Sequence, residues 1–178
     1  FRKNKKCFMT TISDPKNSFK FTNKNFVLPK ASSSLINTKR TRNYMNLRFD
    51  QSLFLDYADW EFAYRIMNSG GLIKQVDNIK LLHELGSSYK TIFGNYLNAP
   101  KPFRITFQIV NTFYLFHKYK YSLLTFILLI RLILLPFKIL IFKDNLIRLK
   151  YYLYGIKLGF QGLNSYELMK KKIMNNKI

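Results

Sequence analysis

Residues 121–142 form an unbroken run of 22 residues in which Arg131 and Lys138 are the only charged side chains. At about 1.5 Å per residue, a helix of that length matches the ~30 Å hydrocarbon thickness of a bilayer. The chain must therefore bury this run in a core, lay it on an interface or thread it through a membrane. Arg131 at its centre would cost ~2.5–3.5 kcal/mol on insertion, and Pro136 with Lys138 predicts a break near the end. Basic flanks favour one or two helices on an anionic membrane surface, with cations on the lipid headgroups. A buried helix pair and a single span at 121–142 remain open alternatives. The 178 residues, 48% hydrophobic and 17% aromatic, suffice for a real core and argue against disorder.

Charge is distributed as unevenly as hydropathy. The formal net charge is +21, yet residues 49–86 carry six of the nine acids and only Arg65, Lys74 and Lys80. Residues 1–48 hold twelve Lys and Arg against Asp14 alone, and residues 87–178 hold fifteen against Asp144 and Glu167. A surface shaped only for polyanions has no reason to concentrate acids in this way, whereas a site that needs a base or a metal does. Zinc-finger spacing and the glycine-aromatic RNA-binding signature are both missing, so nucleic acid is not an expected partner. The basic remainder suits anionic lipid or a phosphate-bearing substrate. Cys7 is the single cysteine and cannot form an internal disulfide, which fits an inert thiol in a reducing compartment. No charged segment leads into an apolar stretch and a cleavage site near Phe1, so no signal peptide is expected.

Along the chain, 18–21 and 25–28 read as edge strands, and 31–37 as a small-residue turn entering a short strand. Residues 38–48 form a basic loop. Trp60, Ala63, Tyr64 and Met67 fall on one face of a helix that Gly70-Gly71 should stop. Residues 72–76 and 79–83 read as strands around an Asp77-Asn78 turn, and Gly86 with the following serines as a loop. A helix is expected over 100–120, opened by Pro100 and Pro102. Residues 143–160 carry no clear pattern, and the tail from Ser165 should fray.

Within the acidic island, Asp56 and Asp59 stand at a helix start, where carboxylates cap free N–H groups and suit the dipole. A carboxylate at that place can also act as general base towards a substrate hydroxyl. Both readings are open on local grounds, as are a satisfied strand-end histidine and a ligand for His83. Asp59-Trp60-Glu61 is not a metal-binding carboxylate pair, because positions two apart on a helix diverge by about 200°. Glu61 and Arg65 form an i, i+4 pair in the favourable order.

The string Phe49-Asp50-x-x-Leu53-Phe54-Leu55-Asp56-Tyr57-x-Asp59-x-Glu61-x-x-x-Arg65, then Gly70-Gly71, then Leu82-His83-Glu84-Leu85-Gly86, resembles the C-terminal catalytic segment of inverting family-two glycosyltransferases. Their rhamnosyltransferase-like and galactofuranosyltransferase-like members are the most similar. Ser32–Asn37 resembles the small-residue stretch upstream of that segment, with serine where glycine is usual. Val110 stands before Asn111 where members often have arginine.

The resemblance implies an α/β fold, the C-terminal portion of a GT-A domain over 1–99, followed by a helical, basic, membrane-associating extension over 100–178. It implies transfer of a sugar such as rhamnose from a nucleotide diphosphate donor to a glycan or lipid-linked acceptor, in cell-surface polysaccharide synthesis at the inner face of the cell membrane. Asp59 matches the general base and His83 a ligand to Mn²⁺ or Mg²⁺ beside the diphosphate. Trp60 would form a platform near the acceptor, Glu61 and Arg65 would support the helix, and Asp56 would orient its start. The family's nucleotide-binding half is not found ahead of Phe49, so the chain is expected to be a fragment inactive on its own. The rival reading is a non-catalytic, membrane-associated basic protein whose acidic segment is only a helix cap.

Overall fold

The computed structural model describes residues 7–12, 18–21, 24–27, 34–36, 48–76, 87–162 and 164–168. The chain divides into two compact units, residues 1–50 with 58–83, and residues 51–57 with 84–178. The division does not run at 99/100. Residues 87–99 and 51–57 both bond into the helical unit, as set out below.

In the first unit, β1 (Cys7–Ile12) lies between two partners. It pairs antiparallel with β4 (Ser34–Ile36) and parallel with β5 (Leu72–Val76), with Met9 opposite both Ile36 and Ile73. The expected edge strands form a separate hairpin of β2 (Ser18–Phe21) and β3 (Lys24–Val27). A parallel pair needs a crossover connection, and that connection contains α1 (Ala58–Asn68). Phe62, Ala63 and Ile66 of α1 close a core with Ile73 of β5, joined by the half-buried Ile36 and Met67. The buried face thus centres on Phe62 and Ile66, while Tyr64 and Met67 lie at its margin.

Gly70 ends the helix as expected. It adopts φ 79°, donates to Met67 O at 3.1 Å, and lets Gly71 N–H reach Ile66 O at 2.8 Å. These two bonds satisfy carbonyls that a helix end leaves open, in a conformation glycine tolerates best.

The second unit is built on three helices, α2 (Arg104–Tyr119), α3 (Leu123–Leu140) and α4 (Asn145–Phe160). Gly155 and Gly159 let α4 approach α2 closely. A Cβ at Gly155 would sit 3.0 Å from Ile109 Cβ, and one at Gly159 2.4 Å from the Phe113 ring. Ile105 and Ile109 of α2 also meet Ile139 of α3 in a shared core.

The apolar run is one helix rather than the broken one expected. Ser122 and Thr125 cap its start reciprocally, and it passes through Pro136 to Leu140. Proline removes the bond to the carbonyl four residues back, and the Tyr152 hydroxyl of α4 donates to that carbonyl, Leu132 O, at 3.5 Å. Burial holds the Tyr152 phenol above its ordinary pKa, so it stays a donor.

The expected loop after Gly86 is a hairpin, β6 (Ser87–Lys90) and β7 (Tyr96–Ala99), turned at Gly94 with φ 87°. It joins the end of α3 through Ile92 N–H to Ile141 O at 2.9 Å and Lys143 N–H to Lys90 O at 3.0 Å. Arg148 fixes the junction. Its guanidinium lies 4.3 Å from the Tyr89 ring centre and 4.5 Å from that of Phe142. It also donates to Asp144 at 2.8 Å and to Pro100 O at 3.0 Å. Residues 143–160, patternless by periodicity, are helical from Asn145. Of the tail expected to fray, Ser165 is fully buried at the start of a helical turn over 165–168, and residues 169–178 lie outside the described residues.

Gly159→Ala should force the Phe113 ring out of place and cost ~1–3 kcal/mol, as overpacking does. The urea-unfolding midpoint should fall with the slope unchanged; an unaltered midpoint would mean that α2 and α4 do not meet at Gly159.

Candidate active site

The residues singled out by sequence fall in two neighbouring stretches, one in each unit. In the helical unit, residues 54–57 take an unusual path. Leu55 and Tyr57 both adopt left-handed backbone, φ 67° and 69°, and Asp56 N–H closes a three-residue turn onto Phe54 O at 2.9 Å. Each such non-glycine residue costs ~1–3 kcal/mol and persists only where its surroundings over-determine it.

Here α2 supplies the restraint. Arg104 grips both carboxylate oxygens of Asp56, Nη2 to Oδ1 at 2.6 Å and Nε to Oδ2 at 3.2 Å, and Gln108 adds a bond at 3.4 Å. The Asn111 amide donates to Asp56 O at 2.7 Å and Phe54 O at 3.2 Å. Ser165 Oγ accepts from Phe54 N–H at 2.6 Å and donates to Ser52 O at 3.2 Å. The Asp56 carboxylate is thus given to Arg104. A fork of two N–H donors matches a carboxylate better than isolated helix N–H groups can.

Tyr57 completes this cluster. Burial of its phenol, reinforced by the Asp56 charge, pushes its pKa up to about 12, against the opposing influence of Arg131 and of hydrogen bonds from Thr112 and Arg131. The charge in the middle of the apolar run is therefore tied to a neutral tyrosine of its own unit.

In the sheet unit, α1 carries the rest. Asp59 lies in its first turn, part-exposed, with Oδ1 accepting Trp60 N–H at 3.0 Å. That bond satisfies one of the donors a helix start leaves open, and the surrounding N–H groups favour an anion there. Glu61 and Arg65 form the expected i, i+4 pair, Nε to Oε1 at 2.8 Å, with the Glu61 side chain fully buried. Arg65 also bonds Arg48 O and lies over the Phe62 ring, whose other neighbour is the stacked ring of Phe49. Trp60 is 8% exposed, so its ring offers little face to a sugar in this conformation.

His83, with residues 77–86, lies outside the described residues. Among the described residues no group of three or more His, Cys, Asp or Glu could hold a metal ion.

Arg104, Gln108, Asn111 and Ser165 were not expected at a site. Asn111 did leave a signal, a lone amide among the buried Ile105, Phe107, Ile109, Val110 and Leu115 of α2. A buried polar group needs partners, and it finds them in two backbone carbonyls. Ser165 carries no comparable mark.

The chain is similar to the dTDP-rhamnosyl transferase RfbF of Shigella flexneri, with 33% identity over 69 residues, 39% of this chain and 23% of that protein. It thus matches less than a quarter of its relative's length. No family model matches, and no solved structure matches. The similarity relates the chain to a glycosyltransferase over part of its length.

Two outcomes follow from the cluster around Asp56. Asn111→Ala leaves Asp56 O without its amide donor and takes one of two bonds from Phe54 O, and should cost ~1–3 kcal/mol in denaturant unfolding; no loss would show that the turn holds without it. Tyr57 has a folded pKa of about 12, above its ordinary 10.0. Its contribution to stability is therefore fully present below pH 10 and lost as pH rises towards 12. Tyr57→Phe should flatten that part of the stability–pH curve and remove one late-titrating phenol from the ultraviolet difference spectrum.

Proposed function

We propose that the chain is the acceptor-side, C-terminal part of a glycosyltransferase that moves a sugar, rhamnose by similarity, from a nucleoside diphosphate to a glycan or lipid-linked acceptor with inversion at the anomeric carbon. The observation that carries this reading is the similarity to a dTDP-rhamnosyl transferase, and the placement of Asp59 is consistent with it. A carboxylate in the first turn of α1, part-exposed, is placed as a group that receives a proton from a hydroxyl must be. In the reaction, the acceptor hydroxyl gives that proton to Asp59 as its oxygen attacks the anomeric carbon. The bond to the diphosphate oxygen breaks on the opposite face, and the nucleoside diphosphate leaves with the electron pair. One base on one face demands inversion. Glu61, neutralised by Arg65, holds the helix and takes no part in proton transfer.

A second reading has an observation of its own. The bond from Trp60 N–H to Asp59 satisfies a donor that the helix start leaves open, a purely structural use that a non-catalytic protein would share. Asp59→Asn separates the two, since asparagine caps nearly as well as aspartate but is no base at neutral pH. With the chain assayed in its full polypeptide, the variant should lose ~10²–10⁴-fold in kcat, the usual worth of a general base, while its thermal midpoint stays within a few degrees. Retained transfer would leave Asp59 as a cap only.

A further inference from the structure

The helical unit presents apolar surface that its own fold does not cover. On α3, Phe126, Ile130, Ile133, Phe137 and Leu140 are 57%, 41%, 65%, 67% and 54% exposed. Their spacing of four, three, four and three residues puts them on one face. The opposite face is used internally, with Leu124 and Leu128 fully buried and Ile139 set against α2. On α4, Leu146, Leu153 and Phe160 are likewise exposed, and the exposed Lys150 and Lys157 fall between them on the same face. That face lies opposite Gly155 and Gly159, which meet α2. Both stripes therefore point away from α2. The patch continues into the hairpin turn, where Ile92 bonds the end of α3 and Phe93 is 75% exposed.

We propose that this surface seats on an anionic membrane, with α3 lying in the interface plane rather than crossing it. Charge selects the partner. Neither α3 nor α4 contains an acid, and Asp144 between them is taken by Arg148. Lys138, Lys143, Lys150 and Lys157 are all exposed. Lysine stems can lie along apolar surface while their ammonium groups reach headgroup phosphates. A second copy of the chain would set lysines against lysines with no acid on either helix to pair. Crossing is disfavoured because Arg131 is bound to Tyr57, and Leu124, Ile127, Leu128 and Ile139 of α3 are already buried in protein. The seating is independent of the proposed transfer reaction.

The test is co-sedimentation of the full chain with phosphatidylcholine vesicles, with and without 30% phosphatidylglycerol, in low and 0.5 M salt. Each lysine near an anionic surface strengthens binding about fivefold, so the mixed vesicles should bind on the order of 10²-fold more tightly. The apolar stripe should leave a fraction bound in high salt. Ile133→Ser with Phe137→Ser, at exposed positions where folding is spared, should abolish that salt-resistant fraction. A double variant that binds like the parent would overturn the proposal, since the basic segments alone would then explain the binding. So would a parent that ignores vesicles, or one that is a dimer in solution and becomes monomeric on the double substitution. Retention in cell membranes through alkaline carbonate extraction would overturn the in-plane placement.

Discussion

Leu55 and Tyr57 hold backbone conformations that their side chains disfavour, and the grip of Arg104 on Asp56 between them is what makes the path tenable. The strain of two left-handed residues is comparable to what a few good hydrogen bonds supply. The structure provides these in number, with a forked ion pair to the Asp56 side chain, two bonds from Asn111 to the carbonyls of Phe54 and Asp56, and Ser165 on Phe54 N–H. Partners drawn from α2 and from the turn at 165–168 meet on one short stretch of chain. The helical unit is thereby closed by contacts more than a hundred residues apart in sequence, from Ser52 and Phe54 to Ser165. Arg131 joins the same cluster through Tyr57, which gives the charge inside the apolar run a structural use.

Much of the sheet unit was legible because its signals are local. The glycine pair that stops α1, the hairpin strands at 18–27 and the strand at 72–76 each follow from a few neighbouring residues. The Glu61–Arg65 pair does too, since helix spacing alone brings those side chains together. The setting of Asp56 was not legible, for the opposite reason. Its partner Arg104 lies 48 residues away, and the nearest helix start looked sufficient. The same holds for α3, where Pro136 argued locally for a break while Tyr152 of α4, distant in sequence, offers a donor to the carbonyl that proline frees. The hairpin at 87–99 was hidden by serine, glycine and asparagine, which mark turns without revealing the pairing that follows.

The candidate site divides along the same line. Asp59, the base proposed above, lies in the first turn of α1, and its position follows from the helix start that sequence already indicated. The residues that hold the preceding turn were invisible, apart from the amide of Asn111 on an apolar face. A transferase needs its base carried on a rigid element, because a reacting oxygen must be met to within a fraction of an ångström. Helix α1 is cemented to β5 by Phe62, Ala63 and Ile66 and stiffened by the buried Glu61.

The most direct measurement is the anomeric configuration of the product, read by NMR from the one-bond carbon–hydrogen coupling at C1 after transfer from a nucleotide-rhamnose by the full polypeptide. A single base on the acceptor side gives a product of configuration opposite to the donor's. Retention of configuration, or no transfer from any sugar nucleotide by a folded protein, would contradict the role given to Asp59.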